Sequence, residues 1–199
     1  MTLLYLIRHG RSVWNAENRM QGQADPPLDD VGREQARALA ERLKGETFSA
    51  IYSSPLLRAK ETTEIAFASH TLRGPIKFDD RLMERHLGEW TGLTWDEIEA
   101  RYPASGHGQW RIVGPPGGEG QAALVARAAA VFEAIRAAQP AGPVAVVSHG
   151  GLLSAGLVYF LGAPPDKYIS FSFPNTGLAR VMVRDGHVRV LGLDDHHLW

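Results

Sequence analysis

The sequence predicts an α/β fold, a three-layer sandwich with a mainly parallel central sheet and helices on both faces. Three observations carry that prediction. Apolar runs of strand length alternate with segments of helical period along the 199 residues, as strand–helix–strand units do. The run Val144-Ala145-Val146-Val147 has no polar face, as a central strand covered on both sides requires. Two apolar runs also end in the same pair, His9-Gly10 and His149-Gly150, at the strand ends where open α/β sheets hold their ligands.

Leu3-Leu4-Tyr5-Leu6-Ile7 reads as a buried strand. Asp29 is suited to cap a helix over 30–44, with Val31, Gln35, Leu39 and Leu43 at helical spacing and Gly45 just beyond. Ala50-Ile51-Tyr52 is a short strand. Ser54 as N-cap and Pro55 at the first helical position open a helix to about residue 68. Ile76-Lys77-Phe78 is another short strand, and 95–102 a short helix stopped by Pro103. Gly114-Pro115-Pro116-Gly117-Gly118 is a turn-rich loop.

The longest helix, 122–138, aligns Leu124, Ala128, Val131 and Ile135 on one face. Gly120 before it is a tolerable N-cap, costing only about a few tenths of a kcal/mol. The central strand, 143–148, leads into a helix over 151–161. Residues 177–183 and 187–193 form a hairpin around Asp185-Gly186. The expectation is one domain over 1–199, in which the weakly periodic region of about 84–120 is a cap or lid. The tail 194–199 contains His196 and His197; a frayed terminus is expected there rather than a metal-binding segment.

The composition is that of a globular protein, 44% hydrophobic and 22% charged. A net charge of -1, from 21 basic and 22 acidic residues, argues against nucleic-acid or membrane-surface binding. Cysteine is absent, which excludes disulfides, thiolate catalysis and Cys–zinc sites. Arg8 and His9 interrupt the early apolar run, and no stretch reaches membrane-spanning length. The expectations are a cytoplasmic protein with a small-molecule partner and neither nucleic acid nor membrane. A homodimer is compatible with them.

Arg8-His9-Gly10 leaves a strand with a cation, an imidazole and a glycine. A histidine there can attack phosphorus while the arginine holds phosphate oxygens; the plainer alternative is an ordinary loop histidine. Ser148-His149-Gly150-Gly151 repeats the pattern and opens a helix, whose free N–H groups and positive end suit an anion. The two glycines let the backbone approach a ligand, or simply make the turn.

Arg58 falls in the first turn of its helix, an unfavourable place for a cation unless a bound anion compensates. Its planar fork suits phosphate oxygens. Asn15 and Gln21-Gly22 lie in a polar loop after the first strand and are candidate neutral donors. Glu84 is a candidate general acid; its alternative is a salt bridge to Arg81 or Arg85.

Arg8-His9-Gly10, Ser53-Ser54-Pro55 with Arg58-Ala59, Glu84 and His149-Gly150-Gly151 stand in the order seen in the histidine phosphatase superfamily, which includes the cofactor-dependent phosphoglycerate mutases. Smaller matches are Trp14-Asn15, Gln21-Gly22, Pro27-Leu28 with Gly32 and Gln35-Ala36, Gly88 with Trp90 and Gly92, Gly117-Gly118-Glu119, and Asn175. The resemblance covers essentially the whole chain and implies a phosphoglycerate mutase-like fold.

It implies that His9 is the phosphoryl acceptor, with its other ring nitrogen held by a backbone carbonyl. Arg8 and Arg58 clamp the phosphate and help keep His9 neutral. Arg8, Arg58, His149 and Asn15 surround the phosphoryl oxygens. Glu84 protonates the leaving alcohol and then activates water. Gln21, Gly22, Gly150 and Arg85 are further phosphate or substrate contacts. Neither metal nor cofactor is implied, because the arginines supply the charge.

Phosphatase and mutase share this pocket. The mutases carry a longer insertion after the acid glutamate, with basic residues for the sugar-acid carboxylate. Here 34 residues separate Glu84 from Glu119, with Arg85, Arg101 and Arg111 as their only Lys or Arg residues. Leu87 and Trp95 stand where mutases have tyrosine and lysine, and Gln23 where they have tryptophan; Arg85-His86 matches the mutases. The balance favours a broad-specificity phosphatase, with a mutase second. A ribazole-phosphate or sugar-phosphate specialist is a further alternative. A binder without chemistry is disfavoured, because every key residue is present. Trp90, Trp95, Tyr102 and Trp110 belong to the cap; any that face the site would favour a larger or apolar leaving group.

Overall fold

The computed structural model describes residues 1–70, 75–103, 109–138, 141–184 and 186–194. Its six strands are β1 (Thr2–Arg8), β2 (Ala50–Ser53), β3 (Lys77–Phe78), β4 (Val144–Ser148), β5 (Leu178–Arg184) and β6 (His187–Asp194). They form one sheet in the order β3-β2-β4-β1-β5-β6. The first four in that order run parallel, and the β5–β6 hairpin adds on antiparallel to β1. The expected layered α/β architecture is found.

Period-2 alternation in the central strands divides the core. Leu4, Leu6, Val144 and Val146 face α6 (Gln121–Ala137) and α7 (Gly150–Phe160), where they pack with Leu124, Phe132 and Leu157. Tyr5, Ile7, Ala145 and Val147 face the opposite side, with Leu39 of α2 (Asp30–Arg42) and Ala59 and Ala66 of α3 (Leu57–Ala66). These central side chains are buried on both faces. Each large one contributes roughly 1.5–3 kcal/mol of apolar burial.

The β1–β4 register pairs Ile7 with Val147 and Arg8 with Ser148. One residue further, His9 N–H donates to Ser148 O at 3.0 Å. The parallel register therefore sets His9 and His149 side by side at one sheet edge. Gly10 turns the chain past α2; a Cβ there would lie 2.5 Å from Gly32 O. Its lack of a side chain serves helix packing.

Helix boundaries differ in places. α3 begins at Leu57, not Pro55, and Leu56 is an N-cap with no side-chain bond. Asp25 supplies the missing acceptor from another loop, taking Leu57 N–H at 2.5 Å. Ser54 accepts from Leu56 N–H at 3.3 Å and pairs with His149 instead of capping the helix. α3 ends at Ala66 and α2 at Arg42, each two residues earlier than expected. Gly120 is the N-cap of α6. α7 starts one residue early, at Gly150. Two short helices are additional: α1 (Val13–Ala16), closed by a Ser12–Asn15 capping box, and α5 (Trp110–Val113).

Residues 84–120 include α4 (Trp95–Arg101) and α5. Leu87, Trp90 and Ile98 form a separate apolar cluster there, with Trp95, Tyr102 and Trp110 packed on it. Residues 195–199, including His196 and His197, lie outside the described residues, as does Asp185. Among the described residues no helix is long and apolar enough to cross a membrane.

Candidate active site

His9 is buried, 2% exposed, at the end of β1. Its Nδ1 lies 2.6 Å from Gly10 O, so Nδ1 carries the proton and Nε2 keeps its lone pair. That is the backbone-carbonyl hold expected. Arg58 Nε donates to His9 Nε2 at 3.3 Å. Burial, then the charges of Arg58 and Arg8, push the His9 pKa well below 6.5, against the opposing pull of the Gly10 carbonyl. The imidazole is neutral.

His149 packs beside it, ring centroids 5.0 Å apart. It is fully buried, and its Nε2 lies 2.8 Å from Ser54 Oγ. Burial and then Arg58, His9 and Arg8 hold it neutral as well. Arg8 Nη1 donates to Phe173 O at 2.6 Å. Two buried polar atoms next to His9, Arg8 Nε and His149 Nδ1, have no hydrogen-bond partner among the described residues. Unpaired buried polar atoms are costly; an oxyanion at His9 would satisfy them.

Arg58 is 1% exposed, and carbonyls from a neighbouring loop aim it. Its Nη1 donates to Ala24 O and its Nη2 to Gly22 O, each at 2.8 Å. Asp25 of the same loop binds the α3 end. Thr62 adds a link below, accepting from Gly10 N–H at 3.0 Å and donating to Arg58 O at 2.7 Å. Burial lowers the Arg58 pKa to about 10, with Glu84 and Asp25 opposing the fall; it remains a cation at neutral pH.

Glu84 forms neither of the alternative salt bridges. Arg81 pairs with Asp79, and the Arg85 side chain bonds Arg111 O at 3.0 Å and Gln121 Oε1. Glu84 Oε1 instead accepts Arg85 N–H at 2.8 Å, and Oε2 accepts Gly151 N–H at 3.1 Å. The carboxylate therefore sits on the positive end of α7. Its backbone is braced by Arg127, which donates to Glu84 O and Met83 O and pairs with Glu119 at 2.6 Å.

A cavity of about 460 Å³ opens onto this group, lined by Arg8, His9, Arg58 and Glu84. Asn15, Gln21, Gly22, Arg85 and Gly150 line it too, so these sequence candidates converge. His149 lies behind them, fully buried, with its ring against His9 and its Nδ1 unpartnered among the described residues. The two glycines have separate roles. A Cβ on Gly150 would meet Arg8 at an ordinary 3.7 Å, whereas one on Gly151 would overlap Glu84 Oε1. Gly151 thus makes room for Glu84. Asn15 Oδ1 is occupied by Ser12 N–H at 3.1 Å, and Gln21 Oε1 by Ser12 Oγ at 2.8 Å, which leaves their amide groups as the donors. Of the cap aromatics named from the sequence, Trp110 lines the cavity.

Sequence reasoning missed several parts. Ser54 as the partner of His149 was hidden by its resemblance to a helix cap. Asp25 and Thr62 act across long sequence separations. Tyr168, Phe171 and Ser172 line the cavity from the segment between α7 and β5, which carries no periodic or motif signal.

Comparison with known proteins agrees with this geometry. The family model of the histidine phosphatase superfamily (branch 1) matches residues 4–196. The metal-independent phosphoserine phosphatase of Arabidopsis thaliana is 39% identical over 160 residues, covering 78% of this chain and 67% of that protein. The 2,3-bisphosphoglycerate-dependent phosphoglycerate mutase 2 of Gloeobacter violaceus is 38% identical over 173 residues, 84% of this chain and 79% of that protein. The solved structure of mycobacterial glucosyl-3-phosphoglycerate phosphatase Rv2419c, a complex with VO3, superposes with a TM-score of 0.87 at 30% identity, covering 98% of this chain and 99% of that one. With two neutral histidines, two arginines and a carboxylate gathered at one end of the sheet and a match over nearly its full length, this chain belongs to the histidine phosphatase superfamily, branch 1.

Proposed function

We propose that the chain is a metal-independent phosphomonoester hydrolase for small phosphorylated metabolites, working through a phosphohistidine on His9. The observation that carries this reading is the neutral His9, Nδ1 held by Gly10 O at 2.6 Å and Nε2 facing Arg58 at 3.3 Å. A lone pair, not a proton, meets the substrate.

In the first step His9 Nε2 bonds to phosphorus and the ester P–O bond breaks. The ring becomes cationic, and the Gly10 carbonyl stabilises its Nδ1–H. Arg58 transfers its donation from Nε2 to a phosphoryl oxygen, and Arg8 Nε and His149 Nδ1 find acceptors there. Splitting one hard displacement in two is the gain of covalent catalysis, and fixed cations stabilise the spread negative charge. Glu84, which takes up a proton as the phosphate ester binds beside it, gives that proton to the leaving oxygen. In the second step Glu84, now a carboxylate, takes a proton from water, the hydroxide oxygen bonds to phosphorus, and the P–N bond breaks. Phosphate leaves, and His9 and Glu84 return to their starting states. Arginines supply the positive charge that a metal would otherwise bring. Asn15 and Gln21 amides and Arg85 are the further substrate contacts.

A mutase would return the phosphoryl group to a second oxygen of a phosphoglycerate, and Arg85 on the cavity wall keeps that as the second reading. Leu87 on the same wall, where the mutases carry a tyrosine, favours a hydrolase, since its side chain offers a carboxylate no donor. The cytoplasm suits this substrate class, and a homodimer is compatible with it. A panel of phosphate esters including 3-phosphoglycerate, with and without 2,3-bisphosphoglycerate, separates the two. Release of phosphate from several esters without the bisphosphate supports the hydrolase. Isomerisation that depends on the bisphosphate overturns it.

A further inference from the structure

Trp110 of α5 and Tyr168 of the segment before β5 both line the cavity. Arg111 links them. Its guanidinium carbon lies 4.9 Å from the Trp110 ring centroid and 5.0 Å from that of Tyr168. Its Nη1 donates to Tyr168 Oη at 2.8 Å. Among the described residues, rings and a hydroxyl hold this cation rather than a carboxylate. Trp110 is anchored on the cap cluster, 5.1 Å from Trp90. Tyr168 is 39% exposed, so the far half of the arrangement stands at the surface.

We propose that Arg111 is a specificity-determining residue: with Trp110 and Tyr168 it forms a clasp between the cap and the segment before β5, and the clasp limits the size of leaving group admitted. The proposal rests on the phosphatase reading and adds which esters are taken. Attraction of a guanidinium to two ring faces is appreciable yet weak where water reaches it, so the clasp holds the cavity narrow but can be forced. At about 460 Å³ the cavity is toward the small end of ligand sites. On this proposal small phosphorylated acids and amino acids enter with the clasp intact, and disaccharide-sized esters require it to open. Arg111 O is also the acceptor of Arg85 Nη1, so a shift of α5 that opens the clasp loosens Arg85 on the cavity wall as well.

The test compares two alkyl phosphates of similar intrinsic reactivity, O-phosphoserine and trehalose 6-phosphate. In Arg111→Ala, kcat/KM for the trehalose ester relative to phosphoserine should rise about tenfold, mainly through KM, as expected for loss of a paired cation–π contact. Arg111→Met keeps the stem and its packing but not the charge, and should show the same rise. A ratio unchanged within about twofold, given the strength such contacts have, overturns the clasp. So does a wild-type ratio in Arg111→Met, which would assign the effect to the stem alone. Equal loss on both esters in both variants marks a purely structural residue and also overturns it. A wild-type protein that hydrolyses neither ester overturns the phosphatase reading and this proposal with it; hydrolysis with an unchanged ratio overturns the clasp alone.

Discussion

Glu84 and Gly151 occupy one another's space by design of the sequence: the Gly151 N–H donates to Glu84 Oε2 at 3.1 Å, and the glycine's missing side chain is where Glu84 Oε1 lies. Gly151→Ala therefore displaces the end of a flexible carboxylate rather than the backbone. The variant should fold normally, because little else must move. Its kcat should fall about a hundredfold, the low end of what a positioned acid–base group contributes. Thermal unfolding and steady-state kinetics check both halves; a stable, fully active variant would remove the requirement for Glu84 at this spot.

Glu84→Gln cannot give or take the proton. The loss should be larger for alkyl phosphates than for p-nitrophenyl phosphate, whose leaving group needs little protonation. Equal losses on both would count against an acid role.

Arg58 lowers the His9 pKa and also holds the substrate. Arg58→Ala removes a charge that disfavours imidazolium, so the His9 pKa should rise toward its ordinary value of about 6.5. The acid limb of kcat/KM, which lies well below that pH in the wild type, should move up, alongside a general loss of activity. A pH–rate profile with an unmoved acid limb would contradict the electrostatic role.

Both buried histidines link stability to acid. Their folded pKa values are depressed, so below about pH 6.5 the unfolded chain binds protons that the folded one does not. Stability is complete above that pH and falls as pH drops toward the folded values. Each histidine contributes a slope of up to about 1.4 kcal/mol per pH unit. Urea unfolding between pH 7 and 5 should show a shallower slope in His149→Asn than in the wild type.

Legibility in the sequence followed the range of the interactions. His9 and His149 could be read because each ends an apolar strand, and parallel register does the rest. Arg58 could be read because a cation in a first helical turn is out of place. Ser54 misled because its local sequence spells a helix cap, while its hydroxyl meets His149 95 positions away. Glu84 could be named as a carboxyl near the site, but its seat on α7 depends on Gly151, 67 positions on. The cap's Trp90 and Trp95 were expected as either packing or substrate wall; they pack on one another, 6.0 Å between centroids.

The most direct measurement of the central claim is rapid acid-free quenching of a reaction with a 32P-labelled phosphomonoester, followed by protein analysis. The account predicts label on His9, stable in base and labile in acid, and none in His9→Ala, which should also have lost turnover. Label absent from a turning-over wild type, or retained together with activity in His9→Ala, would contradict it.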